Sequence, residues 1–358
     1  MKRAALICVL VLLAGLAGCS SSSKHLAYVT SPTSNSISAF RVSNHSGKFT
    51  PVIGSPFPAG SSPTSIVLDP PDKFAYAANQ TGNDISLFKI DNSTGGISEI
   101  RPRTPAGIGP AALAMDSGGA FLFAANVSSS DISIYSINAG TGALTEVAGS
   151  RFALPSGASP AALTVSPSGK YLYVASSTLG LVFGYSIGSG GALQEVQSPV
   201  AVGSGPFSLA IDPGEHFVYV ANSLSDTISV LSLDASTGTL TALPNSPFTA
   251  GNNPISLAID SAGKFLYVAN LGGNNVSAFA LDSSTGVPTE LTTPKSPFAA
   301  GTRPVFITID STGKFVYVAN ENSRDISAFT IDSTTGGLTN GGIAASLGSG
   351  PSWIATTK

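Results

Sequence analysis

From residue 25 to its end the chain alternates short apolar runs with short polar breaks, and the unit of that alternation can be read in residues 254 to 291. PISLAID is followed by the turn Ser261-Ala262-Gly263, then KFLYVAN, a polar loop and NVSAFAL. The turn Asp282-Ser283-Ser284-Thr285-Gly286 and a last run, VPTEL, complete it. The runs are rich in Val, Ile, Phe and Tyr, and Gly, Asn and Asp punctuate them. No stretch beyond the first 18 residues sustains a 3.6-residue period, so the pattern predicts an all-β chain with four strands per unit.

The unit recurs. Its second run reads LAYVTS (ending at Ser31), FAYAAN (Asn79), FLFAAN (Asn126), YLYVAS (Ser176), FVYVAN (Asn222), FLYVAN (Asn270) and FVYVAN (Asn320), in steps of 48, 47, 50, 46, 48 and 50 residues. The first two runs of each unit are apolar on both faces, as in strands covered on both sides. The fourth carries a glutamate at one recurrent place (Glu99, Glu146, Glu195, Glu290) and admits Pro288, which marks an exposed edge. The first strand is therefore innermost and the fourth outermost. Seven such sheets packed radially make a seven-bladed β-propeller with four antiparallel strands per blade.

The prolines that open the inner strand give the closure: Pro63, Pro110, Pro160, Pro206, Pro254, Pro304 and Pro351. LAYVTS has no inner strand before it, and PSWIATT has nothing after it. The C-terminal strand is therefore expected to complete the N-terminal blade.

Residues 1–18 stand apart. Met1-Lys2-Arg3 is a basic start, and the fifteen residues from Ala4 to Gly18 are apolar, too few to span a bilayer comfortably and suited to an export signal. Leu16-Ala17-Gly18-Cys19 resembles the lipobox of bacterial lipoproteins, which implies cleavage before a lipid-modified Cys19. Residues 19–24 then form a Ser-rich tether, and Ser20 after the cysteine implies sorting to the outer membrane. The expected location is thus the cell envelope, with the membrane as a partner through that anchor. Cys8 and Cys19 are the only cysteines, so residues 25–358 hold no disulfide and rely on packing.

Composition narrows the function. Only 10% of residues are charged, and the formal net charge of −3 falls to about −5 without Lys2 and Arg3. That leaves no basic field for nucleic acid. A ring closed within one chain reads as a monomer. No G-x-S-x-G, H-E-x-x-H, paired cysteines or Walker loop is present, and no cofactor or metal is expected.

YVAN followed by a polar loop and ISAF or VSAF resembles the YVTN-type repeats. The SPF-x-A-G-x-x-P segment and the Asp-x-x-Gly-Lys turn resemble the lactonase family of seven-bladed propellers, which includes 6-phosphogluconolactonases and muconate cycloisomerases. The resemblance implies a ligand site at the top of the ring, where the loops between second and third strands meet the segments joining blades. It also implies lactone hydrolysis with a His, a Glu and an Arg around that mouth. The three histidines, His25, His45 and His216, fall instead at the bottom, and read as surface turn residues.

The top does carry polar groups. Arg303 precedes Pro304, Glu321 and Arg324 follow Asn320, and Asn253 and Asn274 belong to the neighbouring blade. Such a set could hold a small anionic or hydroxylated ligand, or could be a surface ion pair in variable loops. Trp353 and Phe306 occupy an inner-strand position that is elsewhere Ser65, Ala112, Ala162, Ser208 and Ser256. They could stack a ligand or fill a gap at the seam. The Asn ending YVAN is expected to satisfy loop backbone, and the Asp residues of the bottom turns to shape those turns. Three readings remain: a lipid-tethered propeller that binds a ligand or an envelope protein through its top face, without catalysis; a lactone hydrolase or cycloisomerase; or a purely structural envelope protein, a scaffold in a larger assembly.

Overall fold

The computed structural model describes residues 25–358. These form seven radial β-sheets, and the one helical segment among the described residues is the 3-10 turn Pro32–Ser34. The seventh blade shows the order from axis to rim: Pro304–Ile309, Phe315–Asn320, Asp325–Ile331 and Leu338–Ser346, each antiparallel to the next. The signal segment and the Cys19 anchor lie outside the described residues.

Closure follows the expected route. Trp353–Thr356 pairs with Leu26–Ser31 as the inner strand of the first blade, with Val29 opposite Ile354 and Thr30 opposite Trp353. Side chains extend the seam at both ends: Leu26 N–H donates to Thr357 Oγ1 at 2.9 Å, and Thr30 Oγ1 meets Ser352 Oγ at 2.8 Å. Pro351 forms no rung, although the other six prolines each stand opposite the last residue of the second strand, as Pro63 does Asn79.

The outer strand is more elaborate than one run per blade. It is continuous in the second blade (Ile97–Pro105) and the seventh, but split in the other five. In the third, Leu144–Glu146 and Phe152–Ala153 both pair with Asp131–Ile137. The SPF motif is thus the second half of the edge strand. Its serine fills the break: Ser55, Ser150, Ser246 and Ser296 each offer Oγ to a third-strand N–H, of Ala39, Ile134, Val230 and Ala278, at 2.9 to 3.1 Å. A ladder donor that would be orphaned by the break is satisfied within its own blade. Glu146 and Glu290 hold the Ser150 and Ser296 hydroxyls at 2.8 Å, so the edge glutamates do more than discourage pairing.

Seven apolar clusters, one between each pair of neighbouring blades, form the core. Each interface repeats one lock. The first residue of a second strand covers the glycine in the next blade's third-to-fourth turn: Leu26 on Gly95, Phe74 on Gly142, Phe121 on Gly191, Tyr171 on Gly238, Phe217 on Gly286, Phe265 on Gly336, and across the seam Phe315 on Gly47. Those glycines have φ of +65° to +84°, and a Cβ would lie 2.2 to 2.8 Å from the covering side chain, so both backbone and space require glycine. Two residues on, Tyr28, Tyr76, Tyr173, Tyr219 and Tyr267 donate to that glycine's carbonyl at 2.8 to 3.1 Å. Burial pushes all five phenols upward, which keeps them protonated as donors. Tyr317, the counterpart at the seam, is fully buried and its hydroxyl has no partner among the described residues.

The Asn ending YVAN does not serve loop backbone as expected. In all five copies Nδ2 reaches side chains of the third strand; Asn270 donates to Asn275 Oδ1 at 2.8 Å and Ser277 Oγ at 2.9 Å. The amide also presses on the glycine three residues before the inner-strand proline, as Asn79 does on Gly60 and Asn320 on Gly301. Where the copy ends in serine, at Ser31 and Ser176, the matching Gly348 and Gly157 face open space. Under the five asparagines, only glycine leaves room for the amide.

A ligand cavity at the top face

The seven inner strands converge on the axis, and their third residues decide how closely. Ser65, Ser208 and Ser256 offer Oγ to the N–H of Leu113, Leu257 and Ile307 on the next inner strand at 3.2 to 3.3 Å. These serines tie neighbouring inner strands at three of the seven junctions, and Ala112 and Ala162 keep the position small at two others. At the last two places Phe306 and Trp353 stand instead, stacked on each other with centroids 4.1 Å apart and planes at 28°. Both are partly buried, packed against the clusters on either side of the first blade. They fill the seam and also face the axis.

Above them a cavity of about 830 Å³ opens to the top. Its walls are mainly Ala, Leu and Ile from the inner strands. Its mouth is ringed by the residue after each second strand, Gln80, Val127, Ser177, Ser223 and Leu271 in consecutive blades. In the seventh blade that place belongs to Glu321. Arg303, which lines the cavity, donates from Nε to Glu321 Oε2 at 2.5 Å, both side chains about half exposed. One guanidinium nitrogen is used in that bond, and the fork keeps further donors for a ligand.

The other expected residues separate. Asn253 and Trp353 line the cavity with Arg303. Asn274 does not; its Oδ1 accepts the Arg303 N–H at 2.7 Å, tying blade to blade. Asn35, Asn83 and Asp226 make the same bond to Ser62, Gly109 and Asn253. The residue is therefore part of a recurrent strut. Arg324 stands at the same hairpin position, with φ of 56°, and is exposed outside the cavity; its carbonyl accepts Leu347 N–H. An arginine cannot accept the bond its counterparts take, and the strut is missing there. The cavity also uses residues that the repeat concealed, above all Phe207, 45% exposed at the second inner-strand position, where Thr64, Ala111 and Ala161 stand elsewhere.

None of the three histidines lines the cavity. His45 and His216 are exposed, and His216 Nδ1 lies 3.3 Å from Asp212 Oδ2 in a bottom turn. His25 is not a surface turn residue as expected. It is buried beside the closing strand, with Nε2 3.1 Å from Ser311 Oγ, which also donates to the Thr357 carbonyl. The bottom Asp-Ser/Thr turns are self-satisfied. Hydrogen bonds from the Ser284 hydroxyl and backbone hold Asp282 down at about 2, and Ser93 and Thr94 depress Asp91 in the same way. No group of three or more potential metal ligands occurs among the described residues.

Fold and sequence pattern agree with one family. The model of the lactonase family, a seven-bladed β-propeller, matches residues 18–158, 150–256 and 241–355, and the chain belongs to that family. Among solved structures, a putative 6-phosphogluconolactonase from Bacteroides fragilis is 21% identical with a TM-score of 0.81, covering 95% of this chain and 100% of its own. A counterpart from Bacteroides uniformis is 21% identical with a TM-score of 0.79, over 94% and 100%. The periplasmic gluconolactonase of Pseudomonas aeruginosa is 21% identical with a TM-score of 0.78, over 94% and 99%. At these identities the likeness is one of fold. Comparison with curated proteins finds no match.

Proposed function

We propose that this propeller binds a hydroxylated ring, a sugar or sugar-derived lactone, in its top cavity. The observation that carries this is the Phe306–Trp353 stack beside the Arg303–Glu321 pair, in a cavity otherwise walled by aliphatic and small side chains. A guanidinium and a carboxylate side by side offer donors and acceptors with little net charge, which suits hydroxyls better than a free anion. An aromatic face supplies the apolar contact that a pyranose ring needs. The solved structures named as gluconolactonases point to the same chemical class.

Trp353 is the only tryptophan in the chain, so its fluorescence reports on the site directly. Titration with δ-gluconolactone, gluconate and methyl glucoside should give a saturable change with at least one. Arg303→Ala should weaken that binding by about tenfold or more, the worth of a hydrogen bond to a charged group. A saturable response that survives both Arg303→Ala and Phe306→Ala would sink the assignment.

Family membership favours a second reading, lactone hydrolysis or cycloisomerisation at the same place. Acid release from δ-gluconolactone at constant pH tests the hydrolysis. A rate above the spontaneous one, lost in both Arg303→Ala and Glu321→Ala, would make the protein an enzyme.

Localisation is part of the proposal. The described chain begins at the bottom, where His25 leads into Leu26–Ser31 beside Thr357. A lipid on Cys19 would leave a tether of about 20 Å when extended, the bottom toward the membrane and the mouth away from it. Palmitate labelling that persists in Cys19→Ser would remove Cys19 as the anchor.

A further inference from the structure

The mouth of the cavity is not polar all round. Six large hydrophobic side chains are well exposed among the described residues, and four of them sit together at the top of three consecutive blades: Ile108 (58%), Leu179 (41%), Phe207 (45%) and Leu224 (76%). The other two, Ile53 and Ile343, lie on outer edges of the first and seventh blades.

Phe207 is part of the cavity wall, and Ile108, Leu179 and Leu224 stand in the top loops that flank lining residues Ala111, Ser177 and Ser223. Val127, whose N–H bonds the carbonyl of Gly109 next to Ile108, lines the cavity as well. Leu224 lies over Gly205, where a Cβ would be 2.6 Å from its Cγ, two residues from Phe207. The arc occupies blades three to five. The Arg303–Glu321 pair and the Phe306–Trp353 stack occupy blade seven and the seam, across the ring from it. A cavity with donors, acceptors and aromatic faces on one side, and aliphatic and aromatic surface rising to the rim on the other, is complementary to a molecule with two unlike ends. Apolar side chains grouped at the lip of a cavity, and not scattered singly, mark a surface that something covers.

We propose, resting on the reading above, that the ligand is an amphiphile. Its hydroxylated head lies between Trp353 and Arg303, and an alkyl or aryl tail crosses the mouth onto Phe207 and Leu224. The tail supplies affinity that the exposed Arg303–Glu321 pair alone gives only weakly, since hydroxyl contacts there compete with water. Its length sets selectivity, because the arc ends at the rim of blades four and five.

The experiment is a homologous series of n-alkyl glucosides, methyl, butyl and hexyl, kept below micelle formation, with hexanol as the tail alone. Binding is read by calorimetry and by Trp353 fluorescence. Affinity should rise about twofold to fourfold per methylene, partial to full burial of each group. Phe207→Ser combined with Leu224→Ser should flatten the series; both side chains are exposed, so the variant keeps the fold. Arg303→Ala should weaken every glucoside by the same factor and keep the slope. Methyl glucoside binding with no gain on lengthening, or an equal gain in the Phe207/Leu224 variant, overturns the amphiphile and spares the hydroxylated head. Hexanol binding as tightly as hexyl glucoside overturns the head, and a series that does not bind at all overturns both.

Discussion

Tyr219 and Tyr317 occupy the same place in two blades, yet removing their hydroxyls should have opposite effects. Tyr219 is 1% exposed and donates to the Gly286 carbonyl at 3.0 Å, across the interface of the fifth and sixth blades. Tyr219→Phe deletes the donor, strands a carbonyl inside a packed interface, and leaves the ring contacts intact. The net worth of such a bond is about 1 kcal/mol, and the stranded acceptor can raise the loss to about 2 kcal/mol. Tyr317 is equally buried, at the seam of the seventh and first blades, but its hydroxyl has no partner among the described residues. Deleting an unsatisfied buried hydroxyl removes a desolvation cost, so Tyr317→Phe should stabilise by about 1 kcal/mol. The third blade already carries phenylalanine there, Phe123, also fully buried. Thermal melts followed by circular dichroism would show Tm falling in Tyr219→Phe and rising or holding in Tyr317→Phe. A loss in Tyr317→Phe as large as that in Tyr219→Phe would refute the reasoning, because it would mean that the seam is locked by a bond like the others.

Gly286→Ala should cost about 3 kcal/mol, since φ is +73° and the new Cβ would lie 2.4 Å from the Phe217 ring; Gly149→Ala, at φ +82° with nothing within 4 Å, should cost only about 1 kcal/mol in a denaturant titration. Removing residues 351–358 should abolish the single sharp melting transition, because it strips the inner strand from the first blade; a truncated chain that melts as cooperatively as the whole would refute that role. Burial raises the Glu99 carboxyl, but the bonds from Arg103 and Ser86 outweigh it and hold the group below the ordinary glutamate value. A depressed folded value means the stabilisation is present above the unfolded value and fades as pH drops through the folded one. Glu99→Gln should therefore cost about 1–2 kcal/mol at pH 7, and the gap to the unsubstituted protein should narrow as pH falls below the ordinary glutamate range, as stability measured across pH would show.

The cavity was only partly legible from the chain. Trp353 stands out because it breaks a position where five other copies carry Ser or Ala, and Arg303 because it sets a charge at the top of the seventh blade near Glu321; both line the cavity. Asn274 and Arg324 broke no obvious rule, and where their side chains go depended on hairpin geometry that sequence spacing does not give. Asn274 turns to the backbone of the next blade, and Arg324 is exposed and does not line the cavity. Phe207 was overlooked because an aromatic residue in a β run reads as core, and only the convergence of seven strands exposes it at the lip. His25 erred the other way: a histidine at the start of a strand reads as surface, but the closing strand folds over it.

What the sequence determined by itself is whatever repeats. Blade number, the order from axis to rim and the closing strand all follow from alternation, turn residues and a count of seven inner-strand prolines, because each blade needs the same local chemistry to bury the same two faces. The tertiary structure decided what happens between copies. The glycine under each large apolar residue, the tyrosine bonds to the next blade, the serine that patches a split edge and the meeting of Phe306 with Trp353 join residues 16 to 71 positions apart within the run of the chain, and some 270 apart across the seam. No local pattern encodes which of two neighbours a side chain will face. The radial packing sets that, and it is also what turns seven ordinary inner strands into one cavity.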